Sequence, residues 1–236
     1  MSVLESASNE DLAILIDIIT DSGKGRISLD SDAKDALLDA KIATTIDLAA
    51  KVAIAEEIQK FGGNTLINLC RGGKGVLYRE SVLDVADRIG ADYNDKQDIA
   101  QIEGAILLKI VEKSLEKISE AEKMKFFDQF GVRYEGAGPV AMAALIGVIS
   151  VSGLAFYKMA ATVAQGTAKT LLGKGLTLAA TGSLMRGISI FAGPIGWAIT
   201  GIWAAFDLTS PAYRVTVPCV IQLAYMRQKK IFHTAR

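Results

Sequence analysis

The sequence predicts an all-α fold, a multi-helix bundle with a glycine- and alanine-rich apolar helical hairpin in its C-terminal half. Apolar residues make up 50% of the 236 positions and aromatic residues 7%. Alanine, isoleucine and leucine dominate the apolar set, which favours helices over a β-sandwich or barrel. Apolar positions also recur at helical spacing in several segments, and residue types that cap helices stand before them.

The first helix is expected to begin after Ser8, because Ser8 followed by Asp11 is a capping pattern. Its apolar face carries Leu12, Leu15, Ile16 and Ile19. The turn at 21–28 ends this helix, since its glycines can take positive φ angles. A second helix is expected at about 30–41, and these elements form a short N-terminal module at about 8–40.

A third helix is expected to end at Phe61, before the glycine pair 62–63. Residues 76–89 return to helix and Gly90 ends it. The clearest helical period lies in 97–118, where the apolar face is formed by Ile99, Ile102, Ile106, Ile110 and Leu115. We expect the acids of 92–98 to cap this helix. Ser119 and Glu122 then form a capping box, and Gly131 ends the next helix.

Two stretches, 138–157 and 187–206, each contain twenty residues without a charged side chain. Twenty residues is about the length that a helix needs to cross a bilayer. Small residues recur three or four positions apart, which lets helix backbones approach closely and also allows an oligomer. A non-helical link is expected at 210–218 because prolines bracket it, and a final helix at about 219–232, basic at its end.

The charges divide the chain near residue 135. Residues 1–135 carry 17 Lys and Arg against 25 Asp and Glu, a net charge of −8. Residues 136–236 carry 9 Lys and Arg and one acid, Asp207, a net charge of +8. We therefore expect an acidic helical domain at 1–135 and a basic, glycine-rich helical region at 136–236 that dock on each other.

The loop RGGKG at 71–75 invites comparison with a phosphate-binding loop. A Walker A loop ends in Lys followed by Ser or Thr, whereas Lys74 is followed by Gly75. The turn at 20–31 has the rhythm of a calcium loop, but Lys24 stands at a ligand position. We expect neither a nucleotide site nor a calcium site, and an enzyme acting at RGGKG is the weakest of three hypotheses.

Catalytic, cofactor-binding and metal-ligating residues are not expected. His233 is the one histidine, which excludes a nucleophile–His–acid triad within the chain's interior and a His-based zinc site. Only Tyr225 and Phe232 interleave with the cations of the last helix, so a nucleic-acid partner is disfavoured relative to an anionic membrane. Cys70 and Cys219 form no CxxC motif, which favours free thiols in a reducing cytosol.

The apolar stretches carry the main functional signal. Candidate membrane-contact residues are their aromatic side chains and flanking cations: Trp197, Trp203, Phe191, Phe206, Phe156, Lys158 and Arg186. Pro139 and Pro194 weaken an uninterrupted span. The stretch MSVLESASNEDL lacks the apolar run of a Sec signal peptide, so we expect a cytoplasmic location, with peripheral contact or insertion at the inner membrane as alternatives.

The chain also resembles the YaaW-like family of uncharacterised bacterial proteins in three stretches: DLAILIDIITDSGKGRISLD (11–30), FGGNTLINLCRGGKGVLYRESVLDVADRIG (61–90) and GPIGW…SPAYRVTVPCVIQLAYMR (193–227). The resemblance implies a helical protein, a short N-terminal module, a region similar to the ubiquinol–cytochrome c chaperone family and no established enzyme activity. It places shared motifs at Phe61, Gly62, Gly63, Arg71, Gly72, Gly75, Tyr78, Pro194, Pro211, Tyr213, Arg214 and Pro218.

Our main hypothesis is a non-enzymatic protein without a cofactor. It associates with or perturbs membranes through the apolar hairpin (138–157 and 187–206), which the acidic domain shields. The alternative is a soluble chaperone-like or assembly factor, in which the same helices bind a protein client.

Overall fold

The computed structural model describes residues 2–26, 29–62, 75–134, 136, 139–176, 196, 200–201 and 213–234. Within these ranges the regular structure is entirely helical, which confirms the all-α prediction. The helices are α1 (Ser2–Glu5), α2 (Asn9–Thr20), α3 (Ser31–Ile42), α4 (Leu48–Gly62), α5 (Tyr78–Ile89), α6 (Ile99–Leu115), α7 (Glu120–Asp128), α8 (Pro139–Val151), α9 (Gly153–Leu172) and α10 (Tyr213–Thr234).

The predicted capping residues begin their helices as expected. The Ser8 hydroxyl accepts a hydrogen bond from the Asp11 N–H at 3.3 Å and so caps α2. Asp98 and Gln101 form a reciprocal capping box at the start of α6, as Ser119 and Glu122 do at the start of α7. Each box satisfies backbone donors that have no partner inside the helix.

Helix α10 lies at the centre of the bundle. It packs against α1, α2, α4, α5, α6 and α9, and every residue from 215 to 226 is buried. A helix with apolar residues on all sides is stable only where it is covered on all sides. The last helix of the chain is therefore the core of the bundle.

The prediction of a non-helical link at 210–218 is wrong from Tyr213 onward. Helix α10 begins at Tyr213 and contains Pro218 in its interior. Proline removes one helical N–H donor and normally breaks a helix. Here tertiary packing prevails, because Pro218 and its neighbours Val217 and Cys219 are all buried.

The described part of the apolar stretch 138–157 is divided between two helices. Helix α8 ends at Val151 and α9 begins at Gly153, with a bend of 112° between them. Ser152 has extended backbone angles, and its hydroxyl accepts the Ala155 N–H at 3.2 Å. Ser152 therefore caps α9 and turns the chain. The division into domains near residue 135 stays a prediction.

Candidate functional site

Helix α8 is apolar around its whole circumference, with Ser150 as its one polar residue. Its Leu145 and Ile149 side chains are buried in the core. The opposite side of the helix, which we call the α8 face, is formed by the exposed residues Val140, Ala143, Ala144, Gly147, Ser150 and Val151. Val140 is 83% exposed and Val151 87% exposed. An exposed surface with this little polar character is a candidate interaction site.

A cavity of about 500 Å³ lies between α8 and the helices α6 and α7. Its described lining residues are Glu112, Leu115, Glu116, Lys123, Phe127, Tyr134, Ala141, Met142, Ala143 and Ile146. We call this space the α8 cavity. It is a concave, mainly apolar site, of the size range that small molecules occupy in proteins.

No single helix among the described residues is both long and apolar enough to cross a membrane. Residues 140–151 and Gly153–Leu172 pass that test only as a pair, across the 112° bend. The second member of the pair is part of the core, since Tyr157, Met159 and Val163 are buried.

A buried carboxylate joins three helices. Arg227 of α10 donates to Glu103 of α6 from Nε at 2.7 Å and from Nη2 at 3.2 Å, and the Tyr78 hydroxyl of α5 donates to the same carboxylate at 2.7 Å. Glu103 is buried. Desolvation raises its pKa, and the hydrogen bonds and charge of Arg227 oppose that rise. Burial, followed by the Glu103 charge, raises the pKa of Tyr78, so the phenol keeps its proton.

Two further acids of the N-terminal part pair with cations of the C-terminal part. Lys229 contacts the buried carboxylate of Asp11 at 2.6 Å. Lys174 contacts the buried Asp17 at 2.5 Å, and Lys41 pairs with the same carboxylate. The sequence indicated opposite net charges for the two parts, but it did not identify these partners, because no local spacing connects residues so distant along the chain.

The described motif residues of 61–78 meet where α4, α5 and α10 join. The Phe61 carbonyl accepts a hydrogen bond from the Thr216 hydroxyl at 3.1 Å. A Cβ at Gly62 would overlap with Ser81, and a Cβ at Gly75 would overlap with the backbone of Gln59. These glycines therefore permit close approach of chain segments.

The motif residues at the start of α10 also have structural contacts. The ring of Tyr213 lies 5.3 Å from the guanidinium carbon of Arg88, a cation–π contact. Pro218 is buried and Arg214 is exposed. Tyr78 donates to Glu103, which pairs with Arg227 of α10. Together with the contact of Tyr213 and the burial of Pro218, this hydrogen bond shows that motif residues take part in the packing around α10.

The structure places two of the membrane-contact candidates on α9. Phe156 is half-buried, and its ring lies over Gly104 of α6, where a Cβ would come within 2.7 Å of Cζ. Lys158 is also half-buried. A membrane role for either residue stays a prediction. The remaining candidates lie outside the described residues: Trp197, Trp203, Phe191, Phe206, Arg186, Gly63, Arg71, Gly72, Pro194 and Pro211.

The second apolar stretch, 187–206, is described only at Gly196, Thr200 and Gly201, so the predicted hairpin stays a prediction. Gly196 lies against α9, where a Cβ would come within 3.2 Å of the Gly166 carbonyl oxygen. Across the described ranges, no three His, Cys, Asp or Glu side chains are grouped so as to hold a metal ion.

The sequence of this chain is similar to those of several bacterial proteins. The chain is 40% identical to a UPF0174 protein of Helicobacter pylori over 178 residues, which is 75% of this chain and 70% of the relative. A second Helicobacter pylori UPF0174 protein is 36% identical over 182 residues, 75% of this chain and 87% of the relative. The UPF0174 protein YaaW of Escherichia coli is 28% identical over 237 residues, 97% of this chain and 93% of the relative. No protein-family profile and no solved structure matches the chain.

Proposed function

The chain belongs to the UPF0174 family, which includes the YaaW proteins, and from this premise we propose that it is a non-enzymatic, peripheral membrane-binding protein that contacts lipid through the α8 face. The names of its relatives state no activity, so the proposal rests on geometry. The observation that carries it is the exposure of an uncharged helix, with Val140 at 83% and Val151 at 87%.

The length of α8 supports contact with one leaflet. Its 13 residues extend about 20 Å at about 1.5 Å per residue, which is shorter than the hydrocarbon core of about 30 Å. Helices that bind at the interface lie in its plane and bury one face among the headgroups and upper acyl chains. Leu145 and Ile149 pack the other side of α8 against the bundle. The helix can therefore contact lipid without separating from the bundle.

The buried polar residues support a non-enzymatic role. Glu103, Asp11 and Asp17 each pair with a cation from the C-terminal part of the chain. These pairs connect α2 and α6 to the segments that pack on them. A charge that is already paired and buried is not presented to solvent as a reactive group, and the removal of its partner is costly. We place the protein in the cytoplasm, at the surface of the inner membrane.

Vesicle binding tests this proposal. The purified protein is sedimented with vesicles of phosphatidylethanolamine and phosphatidylglycerol, at low salt and at about 1 M salt, where charge interactions are screened beyond about 3 Å. We expect binding at both salt concentrations, because apolar burial carries it. The variant Val140→Glu/Val151→Glu should bind at least about tenfold more weakly, since burying each valine contributes about 1.5–3 kcal/mol.

A matched control carries the same two changes elsewhere. Ile42 at the end of α3 and Leu77 just before α5 are exposed at 84% and 69%, so Ile42→Glu/Leu77→Glu changes the net charge equally and removes a comparable exposed apolar surface. This control should bind vesicles like the unmodified protein. Equal loss in both variants, or no vesicle binding at all, would overturn the proposal. If the protein binds a protein client and does not bind vesicles, the result would instead support the chaperone-like alternative.

A further inference from the structure

The α8 cavity lies directly behind the α8 face. Ala141, Met142 and Ile146 of α8 form one wall, and Leu115 of α6 and Phe127 of α7 form the opposite side. Ala143 belongs both to the cavity lining and to the α8 face. The cavity and the α8 face therefore adjoin along one helix, and a molecule bound at the face lies next to the cavity.

The lining determines the chemistry of the occupant. Each charged or hydroxyl-bearing side chain among the described lining residues already has a partner. The pairs are Glu112–Lys109 at 2.8 Å, Glu116–Lys113 at 3.2 Å, Lys123–Glu120 at 2.6 Å and Tyr134–Glu120 at 2.6 Å. The Glu112 and Glu116 side chains are 43% and 52% exposed, so they interact with solvent. Over the apolar side chains of Leu115, Phe127 and Met142 a polar ligand would lose water without gaining a hydrogen bond, which costs free energy. An apolar ligand has no such loss.

We propose that the α8 cavity binds a single unbranched alkyl chain of an amphiphile, whose headgroup stays in solvent or at the membrane surface. The proposal rests on the proposed function, because a bilayer in contact with the α8 face presents such chains beside the cavity. The volume of about 500 Å³ lies within the range of about 300–1,000 Å³ typical of small-molecule sites. The flexible Met142 side chain suits a chain of variable length.

The site is tested on the full chain without vesicles. The probe is dansylaminoundecanoate, whose fluorescence increases in an apolar site, and the competitors are dodecanoate and lysophosphatidylcholine below their micellar concentrations. We expect saturable binding of one probe per chain. Displacement by either competitor supports the proposal, and their relative strength identifies free fatty acid or phospholipid as the better source. Dodecanedioate should not displace the probe, because its second carboxylate would enter the cavity.

Two neighbouring exposed alanines give a matched pair of variants. Ala143 lines the cavity and Ala144 does not. Ala143→Phe should weaken probe binding at least about tenfold, equivalent to about 1.4 kcal/mol, whereas Ala144→Phe should leave it within about twofold. Ala141→Phe, which fills the cavity from its wall, repeats the test at a second position.

The outcomes separate this proposal from the membrane proposal. Ala141 lines the cavity and is not part of the α8 face, so Ala141→Phe should weaken probe binding and leave vesicle binding unchanged. Absence of saturable probe binding, displacement by dodecanedioate, or equal effects of Ala143→Phe and Ala144→Phe would overturn the cavity proposal. Vesicle binding that persists in those cases would leave the membrane proposal standing.

Discussion

Arg227 places two nitrogen atoms on the buried carboxylate of Glu103, Nε at 2.7 Å and Nη2 at 3.2 Å, across 124 positions of sequence. This contact connects the central helix α10 to α6. The Arg227 side chain is 23% exposed and that of Glu103 only 1%. Removal of the cation therefore leaves a negative charge in the interior, where the Tyr78 hydroxyl still donates to it.

The first prediction concerns the stability that this pair provides. Arg227→Met should lower the free energy of unfolding by about 3 kcal/mol, because breaking one side of a buried pair costs about 3–5 kcal/mol and Arg227 is partly solvated. Urea unfolding followed by circular dichroism measures the change. Lys113→Met removes a cation from the exposed pair with Glu116 and should cost less than about 1 kcal/mol. Equal costs would contradict the role assigned to Arg227.

The second prediction concerns pH. Burial raises the pKa of Glu103, and Arg227 limits that rise, so the pKa should rise further in Arg227→Met. A carboxyl whose pKa is raised on folding contributes stability below its ordinary pKa of about 4.3, and that stability is lost as the pH rises through the folded-state value. The variant should therefore be destabilised more at about pH 8 than at about pH 5, relative to the unmodified protein.

Urea titrations at both pH values measure this difference. In Glu103→Gln/Arg227→Met the titrating carboxyl is absent, so the additional pH dependence should disappear. Its persistence in the double variant would show that another group causes it.

The third prediction concerns Gly75, where the chain lies against the backbone of α4. A Cβ at Gly75 would overlap with the Gln59 backbone, whose carbonyl accepts the Val76 N–H at 3.1 Å. Gly75→Ala should therefore destabilise the protein by about 1–3 kcal/mol, as overpacking does. Gly147→Ala is the control, since a Cβ at Gly147 meets nothing within 4 Å. It should be neutral or stabilising by up to about 1 kcal/mol, because alanine favours the helix. Thermal unfolding compares the two.

The fourth prediction concerns the thiol of Cys219. Burial raises its pKa to about 12, so the thiolate that reacts with disulfide reagents is scarce near neutral pH. In a Cys70→Ser background, Cys219 should react with Ellman's reagent only as the protein unfolds, and urea should accelerate the reaction. Rapid labelling of the native protein would contradict the central position of α10.

The local parts of the fold were predictable because short-range chemistry determines them. Ser8, Asp98 and Ser119 begin helices through hydrogen bonds to residues three positions ahead. The break at Ser152 was also within reach of local reasoning, since a serine hydroxyl that accepts from Ala155 is the same signal. The uninterrupted apolar composition of 138–157 does not by itself reveal this break.

The long-range features were beyond local reasoning. Pro218 predicts a helix break, yet burial against neighbouring helices keeps α10 intact. The position of Arg227 beside Glu103 likewise depends on how α10 crosses α6. The α8 face was expected as part of a shielded hairpin, and only the exposure of Val140 and Val151 identifies it as an open surface.

The central position of α10 has a consequence for biosynthesis. A ribosome translates α2, α4, α5 and α6 before it translates the helix against which they all pack. Until residues 213–234 leave the exit tunnel, Asp11 and Glu103 lack Lys229 and Arg227, so the earlier helices cannot bury these acids in their final arrangement. Nascent chains that stall before Tyr213 should therefore expose apolar surface to chaperones and proteases, and completion of α10 should end that vulnerable period.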